Sequence, residues 1–170
     1  VNVGKIRNDQ ELEELCELSV RGLEELIDYQ KYPVKAAEIA TKARRSLGVG
    51  FIGLAHYLAK LGYNYDSQEA WDAVHSLAES FQFYLLSASN KIAIEKGHCE
   101  YFGRTKYADA ILPIDTYKKD VDEISSQKLQ HDWEGLRTAI RAHGLRHSTL
   151  SAQMPSESSS IVCNATNGIE

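Results

Sequence analysis

Met154-Pro155-Ser156-Glu157-Ser158-Ser159-Ser160 packs four hydroxyls and a run of main-chain N–H groups into seven residues. The preceding Ser148-Thr149-Leu150-Ser151-Ala152-Gln153-Met154 alternates weakly, which predicts a short strand. A helix opening at Pro155 would leave its first N–H groups unpaired at its positive end. Phosphate oxygens are natural partners for such groups, and serine hydroxyls add donors. Proline suits a helix start, because its missing N–H has no role in the ladder. By composition alone, a solvated loop or a cap is the commoner reading of such a stretch.

Gly48-Val49-Gly50-Phe51-Ile52-Gly53 is a literal GxGxxG. A dinucleotide site needs a strand before this motif and a helix after it, so that helix N–H groups face the pyrophosphate. The preceding Ala43-Arg44-Arg45-Ser46-Leu47 continues a charged, helical pattern. The glycines therefore read as close helix packing, each costing about 1 kcal/mol relative to alanine. A dinucleotide-binding enzyme using Gly48, Gly50 and Gly53 is the third-ranked reading. The histidines (56, 75, 98, 131, 143 and 147) lack the spacing of a zinc helix, since Gly144 interrupts the His143/His147 pair. Cys16, Cys99 and Cys163 form no CxxC and are odd in number. That argues against a disulfide framework or structural zinc and fits a reducing cytosol. Cys99 beside His98 reads as an ordinary partly buried thiol, because nothing nearby would lower its pKa. Asn164-Ala165-Thr166 has the glycosylation pattern, which reads as chance without a secretion signal.

These candidates need elements to hold them. Asn8 and Glu11 have capping-box spacing, and apolar residues at Leu12, Leu15, Cys16, Leu23, Leu26 and Ile27 predict a first helix ending before Pro33. Glu11, Glu13, Glu14, Glu17, Glu24 and Glu25 read as its solvated face. Helices are predicted over Val34–Arg44 and Ser46–Leu61, the latter stopping at Gly62. The longest starts near Asp66 or Ser67, with Asp66 and Glu69 at capping-box spacing, carries a stripe of Trp71, Val74, Ala78, Phe81, Leu85, Ala88 and Ile92, and stops at Gly97. Residues 98–130 read as loop with short helices. Asp132 caps a helix over Trp133–His143 that Gly144 ends. The 170 residues carry a net charge of −5, which argues against nucleic-acid binding. Lys42-Ala43-Arg44-Arg45 and Lys118-Lys119 are the only hints of a basic patch. No apolar run is long enough to span a membrane.

From Trp133 the chain reads Trp-Glu-Gly-Leu-Arg-Thr-Ala-Ile-Arg-Ala-His-Gly-Leu-Arg-His-Ser-Thr-Leu-Ser-Ala-Gln-Met-Pro. This resembles the signature of class I ribonucleotide reductase large (alpha, catalytic) subunits, through Trp133, Leu136, Gly144-Leu145-Arg146-His147, Ser151-Ala152 and Pro155. Val1-Asn2-Val3-Gly4-Lys5-Ile6, Asp28-Tyr29-Gln30-Lys31-Tyr32-Pro33, Arg44-Arg45-Ser46-Leu47-Gly48-Val49-Gly50, Tyr84 to Asn90, Ile111 to Lys119 and Asn164 to Glu170 extend the resemblance over nearly the whole chain.

The resemblance implies that Pro155, Ser156, Glu157, Ser158 and Ser159 are the substrate-phosphate loop, with the Glu157 N–H rather than its carboxylate facing substrate. It implies a mainly α fold: a helical segment of the family's ten-stranded α/β barrel, with one or two short strands near the C-terminal end. Residues 1–170 are expected to be a partial barrel domain, truncated at both ends. The implied reaction reduces ribonucleoside diphosphates to deoxyribonucleotides for DNA replication in the cytoplasm. The radical would come from a metal-containing small subunit, and the reductant would be thioredoxin or glutaredoxin. The large subunit would form a homodimer. Cys16, Cys99 and Cys163 match none of the family's chemical cysteines, so no catalytic residue and no cofactor is expected here, and the piece alone is expected to be inactive. Faces made for absent partners predict self-association. The alternative is a stand-alone helical interaction module derived from a reductase gene.

Overall fold

A computed structural model describes residues 1–125 and 127–169. Ser126, in the loop-rich stretch, and Glu170, the last residue of the resemblance, lie outside the described residues. The helices are α1 (Asp9–Tyr29), α2 (Lys35–Arg44), α3 (Leu54–Leu61), α4 (Gln68–Lys96), α5 (Pro113–Thr116), α6 (Val121–Ile124), α7 (Trp133–His143) and α8 (Glu157–Cys163).

Local chemistry sets the ends of the long helices. The Asn8 side chain accepts the Glu11 N–H at 2.9 Å, while the Glu11 carboxylate reaches back one residue further than expected, to the Arg7 N–H at 2.7 Å. Ser67, rather than Asp66, caps α4 by accepting the Ala70 N–H at 3.2 Å. Asp132 caps α7 through the Gly135 N–H at 2.8 Å. Helices α1 and α4 pack on one another and form the main core. Cys16, Val20, Leu85 and Leu86 are wholly buried there. α7 closes on α4 through Trp133 and Ile140, with Phe83 stacked on His131 at 4.5 Å. The first turns of the expected α4 stripe depart from it: Trp71 and Ala78 are exposed on an apolar groove.

Two expectations need correction. The helix predicted over Ser46–Leu61 starts only at Leu54; residues 46–53 are extended instead. Arg45 turns left-handed (φ 49°) and ends α2, and Gly48 and Gly50 are poor helix formers. The missing side chain of Gly50 lets two backbones touch: a Cβ there would sit 2.4 Å from the Ala152 carbonyl oxygen. Gly53, at φ 82°, then admits the chain into α3.

The second correction concerns the strands and the barrel. Among the described residues there is no strand and no barrel. The 148–154 segment is extended but meets its neighbour in one parallel bridge, Val49 to Ser151, and a second bridge joins Asn2 to Ile52. The Val49 N–H donates to Leu150 O at 2.8 Å and the Ala152 N–H to Val49 O at 3.1 Å. A ladder needs consecutive pairs on a shared edge. Here contact is too short for one, and the far edge of 148–154 has no main-chain partner among the described residues.

Candidate functional site

All five expected site residues fall on one exposed turn where the 148–154 segment becomes α8. Ser156 is the N-cap; its own hydroxyl turns back to Met154 O at 3.0 Å. The Ser160 N–H closes the first helical bond, onto Ser156 O at 2.8 Å. The N–H groups of Glu157, Ser158 and Ser159 have no partner among the described residues. Three adjacent donors at a helix start, flanked by exposed hydroxyls, present partial positive charge to solvent. The Glu157 side chain is exposed.

The turn is held from both sides by residues to which the sequence assigned no role. Gln153 clamps Phe51 in both directions: its Nε2 donates to Phe51 O at 2.7 Å, and its Oε1 accepts the Phe51 N–H at 3.1 Å. Asn167 Oδ1 accepts the Ser156 N–H at 2.8 Å, and Thr166 O accepts the Gly53 N–H at 2.9 Å. Lys5 reaches Cys163 O at the far end of α8, where a cation suits the helix dipole. The GxGxxG thus serves as a backbone-contact segment beside the turn. It is extended through its first two glycines and enters a helix only after the third, so it lacks the strand-then-helix context of a dinucleotide fingerprint.

Upstream of the turn in the chain, Arg146 and His147 join a buried charge network. Glu24, expected on the solvated face of α1, is 1% exposed. Its carboxylate takes Arg45 Nε at 2.7 Å, Arg146 Nε at 2.7 Å and His147 Nε2 at 3.0 Å. Arg45 also reaches Asp28 at 2.7 Å. His147 Nδ1 lies 2.9 Å from the Ser89 hydroxyl. Burial alone would push the Glu24 carboxyl up, but hydrogen bonds from His147, Arg45 and Arg146 outweigh it and hold the group far below the carboxylate range. Burial lowers the His147 pKa, and the Glu24 hydrogen bond only partly offsets this. A neutral His147 donating to Glu24 and accepting from Ser89 satisfies every contact. This network fixes Arg146 and His147, from which the chain runs to the turn. A helix-face reading could not place Glu24; the dipeptides Arg44-Arg45 and Arg146-His147, each needing a counter-charge, were the available signal.

The network predicts a pH dependence. His147 titrates lower in the folded chain than its ordinary 6.5, so the unfolded chain takes the proton first. Its contribution is complete above about pH 6.5 and is lost as pH falls toward the folded value. The Glu24 contribution goes in a separate, lower window, below its ordinary 4.5. Denaturation midpoints should therefore drop between pH 7 and 5, and His147→Gln should flatten that part of the profile. An unchanged profile would contradict a neutral buried imidazole.

The thiols show no reductive pair. Burial pushes Cys16 up to about 12 and also raises Cys99, while Cys163 is exposed. Native chain treated with a thiol reagent should lose one thiol, Cys163, with Cys16 and Cys99 reacting only after unfolding. Rapid loss of all three would refute this burial pattern. Among the described residues, no three His, Cys, Asp or Glu side chains stand together to hold a metal ion. No described helix is long and apolar enough to cross a membrane.

Comparison with known proteins gives the family to which the chain belongs. The family model described as "Ribonucleotide reductase, barrel domain" matches residues 1–170, and the chain belongs to that family. Among curated relatives, it is 57% identical over 169 residues to the ribonucleoside-diphosphate reductase subunit alpha of Haemophilus influenzae, covering 99% of this chain and 22% of that one. It is 55% identical over 144 residues to ribonucleoside-diphosphate reductase 1 subunit alpha of Escherichia coli, covering 85% and 19%. The alpha subunit of Chlamydia trachomatis is 32% identical over 174 residues, covering 99% and 17%. The chain thus spans about a fifth of the length of these relatives.

Proposed function

We propose that this chain supplies the substrate-diphosphate turn of a class I ribonucleoside-diphosphate reductase large subunit, formed by Pro155, Ser156, Glu157, Ser158 and Ser159. The observation that carries the reading is the row of unpartnered N–H groups on Glu157, Ser158 and Ser159. A diphosphate offers several charged oxygens, and charge-assisted bonds to main-chain N–H groups are about twice as strong as neutral ones. The clamps through Gln153 and Asn167 hold those donors in place before substrate arrives, which lowers the ordering cost of binding.

In this reading the complete enzyme works in the cytoplasm and reduces ribonucleoside diphosphates to deoxyribonucleotides. Two large subunits pair, a metal-containing small subunit supplies the radical, and thioredoxin or glutaredoxin supplies electrons. The chain's own part is to bind and orient the phosphates; its three thiols take no part in the chemistry, and alone it turns nothing over. Double replacement Ser158→Ala/Ser159→Ala in the complete subunit should raise KM for the ribonucleoside diphosphate about tenfold, from two lost hydrogen bonds. kcat should change by less than about threefold, because phosphate binding is common to ground and transition states. An unmoved KM would remove the hydroxyls from the site.

A second reading, self-association of this chain, is favoured by Ile161 and Val162, which are 80% and 85% exposed on α8. Apolar side chains so open to water gain from burial against a second copy. Size-exclusion chromatography should then show concentration-dependent dimers, and Ile161→Ser/Val162→Ser should restore a monomer; a strict monomer at high concentration would end this reading.

A further inference from the structure

The chain has a second place suited to an anion, remote from the Pro155–Ser159 turn. A cavity of about 560 Å³ opens between the first residues of the two extended segments and the turns after α4. Arg44, Arg104 and Lys106 all line it, and no carboxylate does. None of the three forms an ion pair among the described residues, whereas Asp115, adjacent to the lining residue Thr116, is already taken by Arg137 at 2.7 and 2.9 Å. In a chain of net charge −5, three cations without an ion pair among the described residues, Arg44 at the end of α2 and Arg104 and Lys106 in the turns after α4, line one hollow.

The walls are fixed rather than fortuitous. The Tyr101 N–H donates to Ala43 O at 3.1 Å, the Ser148 N–H to Arg44 O at 3.0 Å and the Leu47 N–H to Thr149 O at 2.9 Å. The guanidinium carbons of Arg44 and Arg104 stand 4.7 and 4.6 Å from the centre of the Tyr101 ring. Stacking on an aromatic ring steadies each guanidinium without a counter-charge. Their planar forks match phosphate oxygens, and the hydrogen-bonded pair of Ser46 and Ser148 hydroxyls, 2.8 Å apart in the lining, leaves one O–H to donate. Tyr107, Ile111 and Pro113 give the lining an apolar side, beside the threonines at 105, 116 and 149.

We propose that this pocket binds a small phosphorylated molecule, with the phosphate held by Arg44, Arg104 and Lys106 and an apolar or aromatic body against the half-buried Tyr107, Ile111 and Pro113. A nucleic-acid strand fits less well, because the chain as a whole is acidic. An acidic peptide would meet the cations but leave the apolar wall unused.

The test uses the full-length polypeptide that carries this sequence, with fluorotyrosine at position 101 as the reporter. Phenyl phosphate, inorganic phosphate and poly-glutamate are titrated separately while the fluorine resonance is followed by NMR. Phenyl phosphate should shift the resonance saturably, at a concentration at least about tenfold below that needed for inorganic phosphate, a difference of 1.4 kcal/mol. Arg44→Ala/Arg104→Ala, both exposed positions, should weaken the response at least about tenfold, Lys106→Ala should weaken it in an unaltered Tyr101 stack, and Ser158→Ala should leave it unchanged. No saturable shift below about 10 mM, a shift indifferent to loss of the cations, a shift abolished by Ser158→Ala, or tighter binding of poly-glutamate would each overturn the proposal.

Discussion

Glu24→Ala lowers the stability of the chain by about 3–5 kcal/mol, the cost of breaking a buried ion pair from one side. Glu24 is the one acidic group that meets Arg45, Arg146 and His147 together. Removing it leaves the 4% exposed Arg45 with only the partly solvated Asp28, and it strips His147 of its acceptor. A chain of this size loses about 2–4 °C in Tm per kcal/mol, so the midpoint should fall by roughly 10 °C. Glu25→Ala, on the neighbouring exposed carboxylate that reaches Lys96, is the control and should cost less than about 1 kcal/mol. Equal effects from the two substitutions would mean that the buried network contributes no more than an ordinary surface pair.

Gly50→Ala is the second large effect, and its sign is set by backbone rather than by propensity. The added Cβ would meet the Ala152 carbonyl oxygen at 2.4 Å, and the other atom of that contact is main chain that cannot rotate away. Relief requires the 46–53 and 148–154 segments to part, which breaks the Val49–Leu150 and Val49–Ala152 hydrogen bonds. The expected cost is about 3 kcal/mol, at the upper end for overpacking. The same substitution at Gly22, inside α1 with nothing within 4 Å of its would-be Cβ, should stabilise by about 0.5–1 kcal/mol. Urea midpoints of the two variants should move in opposite directions. A shift of the same sign in both would remove the close approach as the reason for Gly50.

The contrast between these two glycines also marks what the sequence could reveal. The long helices were legible because their signals are local: Asn8 and Asp132 have cap chemistry, Asp66 marks the start of α4 to within a residue of its true cap Ser67, Gly97 and Gly144 end the runs, and the Phe81, Leu85, Ala88 and Ile92 spacing points one face inward. The extended course of residues 46–53 was not legible, since its cause is a partner about a hundred residues away. Gly48 and Gly50 look the same to a periodicity argument whether they pack helices or let two backbones meet. The 148–154 segment was read as a strand from its own alternation, but a strand also needs a neighbour in register, and only Val49 supplies one. Glu24 was misplaced for a related reason. It is one of six glutamates on α1, and only the arrival of Arg45, Arg146 and His147 from elsewhere makes its burial tolerable. The turn at Pro155–Ser159 was legible as residue types and as a family resemblance. Its supports, Gln153 and Asn167, were not, because each acts through one long-range hydrogen bond.

The central claim is that main-chain donors at the start of α8 hold the substrate's phosphates. Glu157→Pro tests it directly, because it deletes one donor at the first helical position, where proline has no ladder bond to break, while Ser156 shifts from ψ 39° toward extended backbone ahead of it. Glu157→Ala keeps that donor and deletes only the exposed carboxylate. Measured by calorimetry in the complete subunit, ribonucleoside-diphosphate affinity should fall at least about tenfold in Glu157→Pro, the worth of one charge-assisted hydrogen bond, and should hold or rise slightly in Glu157→Ala. Affinity that survives the proline, or that falls equally in both variants, would contradict the account.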